Sequence, residues 1–260
     1  MHVVYGIDDL QPHLGPVFVV IGVFDGLHLG HAYLLEHLVT EAAARDARPT
    51  VITFDHHPDE VLMGKAPPLL LDSGERLERL EAAGVAVTVV QPFDEALRQT
   101  PYDTFVERIR AQAALTGFLM TPDAAFGFER RGTAEALATL GERDGFDVVV
   151  VPTFSLDGQE VRSSTIRDAV VSGDLATAAR LLGRRVSLTG SIGGAVDGRT
   201  RLDFRLPVAL PPDGDYEATV DGRPLQLRIV GGDAYLLGEV SNGRDTVTVV
   251  LERPERPSTA

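Results

Sequence analysis

The stretch Gly22-Val23-Phe24-Asp25-Gly26-Leu27-His28-Leu29-Gly30-His31 constrains this chain more than any other. It follows Val17-Phe18-Val19-Val20-Ile21, a continuous apolar run of strand length, and precedes Ala32 to Ala44, where apolar residues recur at helical spacing. The pattern predicts a strand, a tight glycine turn and a helix. Gly26 and Gly30 let backbone amides approach a ligand closely, and the start of a helix offers unpaired N–H groups at a positive dipole end. His28 and His31 flank the turn. Isolated histidines are more often surface or core residues than ligands. This pair, however, stands at the carboxyl end of the first strand of an open sheet, where such folds bind ligands, and the combination suits a nucleotide phosphate.

Strand-like and helix-like stretches alternate from there to about Gly183. Pro49 to Phe54, Val85 to Val90, Gly117 to Met120 and Phe146 to Val151 read as strands. Ser73 to Ala83, with Ser73 as N-cap and Gly84 as stop, Thr104 to Leu115, entered through Pro101, and Thr133 to Gly141 read as helices. Apolar runs without alternation are expected of strands covered on both faces. The fold class is therefore α/β, a Rossmann-like open parallel sheet. Beyond Gly183 helical spacing stops. Short β-prone segments, Val186 to Ile192, Tyr216 to Val220, Leu225 to Val230, Tyr235 to Val240 and Thr246 to Leu251, are separated by turn residues, which predicts a second, all-β domain, a small barrel or meander. The expected boundary divides residues 1–184 from 185–260, with Glu252 to Ala260 as a frayed tail.

Composition bounds the partners. Among 260 residues, 44% apolar, 38 acids outnumber 24 bases, for a net charge of −14. That balance opposes nucleic acid as a partner, because phosphate binding there needs a basic face. There is no cysteine, which removes disulfides and thiolate metal sites and fits a reducing, cytoplasmic setting. Met1 to Gln11 lacks the features of a signal peptide, and no apolar run approaches the roughly 20 residues that span a bilayer. Lys65 is the only lysine, so cationic chemistry rests on arginine and histidine.

Four ordered motifs carry a family resemblance, over about residues 15 to 185. Gly26-x-His28-x-Gly30-His31 resembles the signature of the HxGH nucleotidyltransferases. The fuller string from Gly22 through Phe24 and Asp25 is similar to that of the FAD synthetase module in bacterial bifunctional riboflavin kinase/FAD synthetases. Thr53-Phe54-Asp55-His56-His57-Pro58 resembles that family's Thr-Phe-Asp-Pro-His-Pro loop, with His56 in place of the first proline. Asp123-x-x-Phe126-Gly127-x-x-Arg130-x-Gly132 resembles its Phe-Gly-x-x-Arg-x-Gly stretch, with Ala124 and Ala125 where bulkier residues are usual. Ser163-Ser164-Thr165-Ile166-Arg167 resembles its Ser-Ser-Thr-x-Ile-Arg motif, with Arg162 in place of the first serine. Ala179-x-Leu181-Leu182-Gly183-Arg184 matches the helix that closes the module.

The resemblance implies adenylyl transfer, in which an FMN phosphate oxygen attacks the α-phosphorus of ATP, pyrophosphate leaves and FAD forms. His28 and His31 would donate to α-phosphate oxygens, while Ser163, Ser164 and Arg167, at the start of a second helix, would meet the β- and γ-phosphates. Taken without the resemblance, an N-cap and a surface arginine would explain these last three. Gly22, Phe24, Asp25, Gly26 and Gly30 would line the nucleotide, and Phe54, His57, Asp123, Phe126, Gly127 and Arg130 the flavin side. Adjacent His56 and His57 rarely chelate one ion together, so no protein metal site is expected, and Mg²⁺ would come with the triphosphate. ATP and FMN are then the partners.

In the family the second domain is a riboflavin kinase barrel with a Gly-Arg-x-x-Gly-Phe-Pro-Thr-Ala-Asn segment. Gly198-Arg199-Thr200-Arg201-Leu202-Asp203-Phe204-Arg205-Leu206-Pro207 keeps only the first Gly-Arg, so a vestigial barrel without kinase activity is expected. The departures at His56 and near Asp123 leave open a related enzyme using another phosphorylated acceptor or CTP. The degenerate second domain leaves open a non-catalytic flavin or nucleotide binder.

Overall fold

A computed structural model describes residues 1–196, 199–238 and 245–252. It divides into two compact units, one formed by residues 1–24, 30–67 and 77–155, the other by residues 25–29, 68–76 and 156 onward.

The first unit is an open sheet of six parallel strands: β1 (His2–Val4), β2 (Val17–Ile21), β3 (Arg48–Phe54), β4 (Val87–Gln91), β5 (Leu115–Met120) and, past a two-residue ribbon β6 (Ala125–Phe126) and β7 (Gly132–Thr133), β8 (Asp147–Val150). Their order is β1-β4-β3-β2-β5-β8. β2 lies against β3 (Val19 beside Thr50, Ile21 beside Ile52) and against β5 (Val19 beside Phe118). Val17, Phe18 and Val19 are fully buried, as a strand covered on both faces requires. One face packs Val17, Val19, Ile52 and Val89 against Ile7, Leu10 and the inward residues of α5 (Tyr102–Gln112) and α6 (Ala134–Asp144), Phe105, Ile109 and Leu137 among them. Phe18 alternates to the other face, where Arg45, just past α1 (Leu29–Ala44), lies over its ring at 4.8 Å. Two short helices, α2 (Asp59–Met63) and α4 (Glu95–Arg98), and β1 fall outside the predicted elements; each is too short for a periodic pattern to register.

One expected detail is corrected. Ser73 is the first residue of α3 (Ser73–Ala82) rather than its cap; Asp72 Oδ1 accepts from the Gly74 and Glu75 amides, at 2.7 and 3.4 Å. A carboxylate one position earlier reaches those amides and complements the helix dipole as well.

In the second unit α7 (Ser163–Val171) and α8 (Leu175–Leu182) follow two short strands, β9 (Ser155–Leu156) and β10 (Gln159–Glu160). Six antiparallel strands then close a barrel: β11 (Ser187–Val196), β12 (Arg199–Asp203), β13 (Gly214–Val220), β14 (Arg223–Val230), β15 (Asp233–Leu237) and β16 (Thr246–Leu251), in the order β11-β12-β15-β14-β13-β16. Leu188, Leu202, Leu227, Leu236 and Val249 fill it. β12 was not among the expected strands, because it offers a single fully inward apolar residue, Leu202, between charged neighbours. Glu252 does not fray: its amide donates to the Glu217 carbonyl at 2.8 Å. The remainder of the expected tail, 253–260, together with Gly198 and the Glu239-Val240 end of the predicted Tyr235 to Val240 strand, lies outside the described residues. Among the described residues, no helix is long and apolar enough to cross a membrane.

Candidate active site

All six strands being parallel, their carboxyl ends share one edge, and the chain leaves β2 for β3 on one side and reaches β5 on the other. That reversal between β2 and β5 is where open α/β sheets bind ligands. The loops that leave those two strands, from Gly22 and from Thr121, are two of the stretches singled out from the sequence.

The β2 exit is fixed from the neighbouring strand. The Gly22 amide donates to the Ile52 carbonyl at 3.0 Å, and Thr53 Oγ1 donates to the Val23 carbonyl at 3.0 Å. Phe24 is left-handed at φ 54 and 1% exposed, with its ring 5.1 Å from that of His31. A non-glycine residue in that region is strained, and such strain persists only where packing over-determines the chain. Phe24 is thus a structural wedge, its ring taken up by packing. A side chain at Gly22 would stand 3.1 Å from the same ring.

In the second unit the segment Asp25 to Leu29 is held by the helices that follow the sheet. Asp25 is 3% exposed; its Oδ1 accepts from the Leu70 amide at 2.9 Å and its Oδ2 from Arg167 Nη2 at 2.9 Å. Arg167 Nε donates to the Pro68 carbonyl at 2.7 Å, and Ser163 Oγ donates to the Asp25 carbonyl at 2.9 Å. Arg184 completes the set, with Nη2 on the Gly26 carbonyl at 2.6 Å and Nη1 on that of Leu27 at 3.0 Å. Gly26 lies at φ 80, a conformation that favours glycine, and a Cβ there would press on the Leu70 side chain at 3.0 Å. Three successive carbonyls are thereby tied to side chains, a condition an anion site needs, because an untied carbonyl would repel phosphate.

His28 is buried, and burial first, the Arg184 charge second, lower its pKa to about 4. It is neutral at pH 7, with one ring N–H to donate. Gly30 and His31 are in the first turn of α1 and Ser164 is the exposed second residue of α7. Arg162 occupies the N-cap position of α7 without a side-chain cap and pairs with Glu160 instead. Ser163 does not cap α7 either; its hydroxyl is the one that holds Asp25.

On the sheet edge, Asp123 and Arg130 are exposed and joined, Arg130 Nη2 donating to the Asp123 carbonyl at 3.1 Å while Asp123 Oδ1 accepts from Thr121 Oγ1 at 2.9 Å. Phe126 packs its ring on Phe105 and Phe118, at 5.4 and 5.8 Å. Gly127, at φ 77, passes so close to the start of α5 that a Cβ would stand 2.6 Å from the Tyr102 nitrogen. Phe54 is buried edge-on against Phe93 at 5.2 Å. His57 Nδ1 lies 3.2 Å from the Asp59 amide and 3.6 Å from its carboxylate, and Asp55 Oδ1 gathers the amides of His56 and Phe93 at 2.8 and 2.9 Å. Among the described residues, no three His, Asp or Glu side chains converge as metal ligands would.

Asp25, Ser163 and Arg167 are therefore brought together, as are Asp123 and Arg130. Arg184 and the Leu70 amide are further partners of the turn. The signal for Arg184 is its place in the closing motif, directly after the glycine that stops α8.

An open parallel sheet whose strand order reverses between β2 and β5 is a Rossmann-like module. The FAD synthetase family model matches residues 10–165, and the chain belongs to the FAD synthetase family. It is 34% identical to the bifunctional riboflavin kinase/FMN adenylyltransferase of Haemophilus influenzae, over 74% of this chain and 63% of that protein. To the protein of the same name from Escherichia coli K12 it is 31% identical, over 74% and 62%. The matched stretch thus spans less than two thirds of those relatives. A crystal structure titled macrolide-efflux protein, from Streptococcus pneumoniae, shares the fold, with a TM-score of 0.77 at 22% identity and 96% coverage of both chains.

Proposed function

We propose that this chain is an FMN adenylyltransferase that moves AMP from ATP to FMN, makes FAD and pyrophosphate, and has no riboflavin kinase activity. The observation that carries this reading is the clamp of Asp25 by Ser163, Arg167 and Leu70, which joins two of the family's motifs in one hydrogen-bonded unit. In the transfer an FMN phosphate oxygen bonds to the α-phosphorus of ATP while the bond to the β-phosphate bridging oxygen breaks, and pyrophosphate leaves with that electron pair. Such transfer rests on positioning and charge neutralisation rather than on a covalent nucleophile. His28, neutral at pH 7, and His31 donate N–H groups to the α-phosphate oxygens. Ser164 and the outer nitrogen of Arg167, whose other two nitrogens hold Pro68 and Asp25, meet the β- and γ-phosphates.

Magnesium enters as part of the substrate, on the triphosphate. The Asp25 carboxylate fits this, because both of its oxygens are already taken by Leu70 and Arg167. The FMN side falls to the Asp123–Arg130 loop and His57. The catalytic module comprises residues 1–184 and the vestigial barrel 185–260. The partners are small molecules, with no nucleic acid or membrane involved, in a cytoplasmic setting.

Protein supplied with Mg²⁺, ATP and FMN should release pyrophosphate and form FAD. His28→Asn and His31→Asn should each cost ~10²–10³ in rate. Riboflavin with ATP should give no FMN. Absence of FAD overturns the reading. Turnover with CTP or another phosphorylated acceptor would instead favour the related enzyme that Ala124, Ala125 and His56 leave open, and nucleotide binding without any turnover the non-catalytic binder.

A further inference from the structure

The second unit contains a buried acid that adenylyl transfer does not use. Glu75, 8% exposed, accepts from Ser187 Oγ at 3.2 Å and Thr189 Oγ1 at 2.7 Å, both on β11. At the other end of the same segment, Leu69 pairs with Val208 in an isolated parallel bridge. The Leu69 amide donates to the Pro207 carbonyl and the Ala209 amide to the Leu69 carbonyl, each at 2.8 Å. The strap from Pro68 to Arg76 is thus fastened to the barrel at both ends. On either side of the Leu69 fastening it presents two groups: the Leu70 amide, which holds Asp25 Oδ1, and the Pro68 carbonyl, which holds Arg167 Nε.

Pro207 ends the segment that departs from the kinase pattern, and Val208 and Ala209 follow it directly. A barrel stripped of that pattern has no evident reason to keep a tight backbone bridge to a strap, unless the bridge is now its role. We infer that the barrel serves as a positioning element for adenylyl transfer, fixing Asp25 and Arg167 through the strap by means of Pro207–Ala209 and the Ser187–Thr189 pair. The barrel residues involved are positioning residues, acting on Asp25 and Arg167 through the strap. The inference rests on the proposed adenylyltransferase activity for its kinetic readout, and on the strap geometry for its second.

Two full-length variants test it from the two fastenings. Ala209→Pro deletes the amide that binds the Leu69 carbonyl, and Ser187→Ala with Thr189→Val deletes the hydroxyls on Glu75. Amide exchange is followed at Leu70 in the strap and at Val249 in the barrel wall, without substrate. Each variant should exchange Leu70 roughly tenfold faster with Val249 unchanged, and should lose roughly tenfold in kcat/KM for MgATP, the scale of one or two hydrogen bonds. Arg228→Ala, which opens an exposed barrel pair with Asp215, should change neither. Unchanged Leu70 exchange in both variants, or equal acceleration of Leu70 and Val249, overturns the inference. If the unaltered protein forms no FAD, the activity reading fails, and the exchange measurement still decides whether the barrel holds the strap.

Discussion

Arg167 and Asp25 face each other at 2.9 Å with 14% and 3% of their side chains exposed. A pair so withdrawn from water is held less by charge attraction than by the hydrogen bonds that satisfy its remaining polar atoms, here the Leu70 amide and the Pro68 carbonyl. Removing one partner leaves the other charge buried and uncompensated. Arg167→Ala should therefore lower unfolding free energy by about 3 kcal/mol in urea titration. Arg167→Lys should restore little of it, because a single ammonium cannot reproduce the fork that reaches both Pro68 and Asp25. A loss below about 1 kcal/mol would mean that the pair is not the tie described.

His28 gives the turn a pH signature. Its folded pKa, about 4, lies below the ordinary value near 6.5, so the unfolded chain takes up a proton first as pH falls. The resulting stability is fully present above about pH 6.5 and drains away toward pH 4. Its total is about 3 kcal/mol at 1.36 kcal/mol per unit. Burial is the larger cause and Arg184 the smaller. Arg184→Gln should raise the His28 pKa part of the way toward 6.5 in an NMR titration and leave it below that value. A His28 that already titrates near 6.5 in the unaltered protein would contradict the burial described.

Two glycines share φ but not ψ: Gly145 is left-handed helical at ψ 42, whereas Gly127, at ψ 176, lies in a region essentially confined to glycine. Gly145 sits at φ 79 with nothing within 4 Å of a Cβ, and Gly127 at φ 77 with the Tyr102 nitrogen 2.6 Å away. Gly145→Ala should cost about 1 kcal/mol, the penalty of the left-handed region alone. Gly127→Ala must also push backbone off backbone, and should cost more than about 3 kcal/mol in thermal or urea unfolding. Equal costs would mean that the loop can move away from α5.

The sheet was legible because its central strands are apolar runs bounded by turn residues. β2 is read to the residue from five apolar positions between Pro16 and Gly22, and β3 within one residue. β1 was not, since three residues carry no period, nor was β12, whose inward face is mostly Leu202. The two histidines stand out through their spacing, and Ser163 and Arg167 only through the family resemblance. The contacts around Asp25 do not show in the sequence. Arg184, Ser163 and Arg167 all bind backbone carbonyls, and the Leu70 contact is to a backbone amide; groups present in every residue leave no trace in a sequence. The buried Asp25 carboxylate looked like one more member of a glycine turn, although it is the point on which α7 and the strap converge.

The ties on the turn reach far along the chain: Ser163 lies 138 positions from Asp25, and Arg184 lies 158 from Gly26. The turn is therefore not a portable cassette. A recombination event that carried Gly22 to His31 into another gene, or spliced a foreign tail in before Arg184, would deliver the string without its fasteners. A block that keeps the turn with these ties runs at least from Gly22 through Arg184.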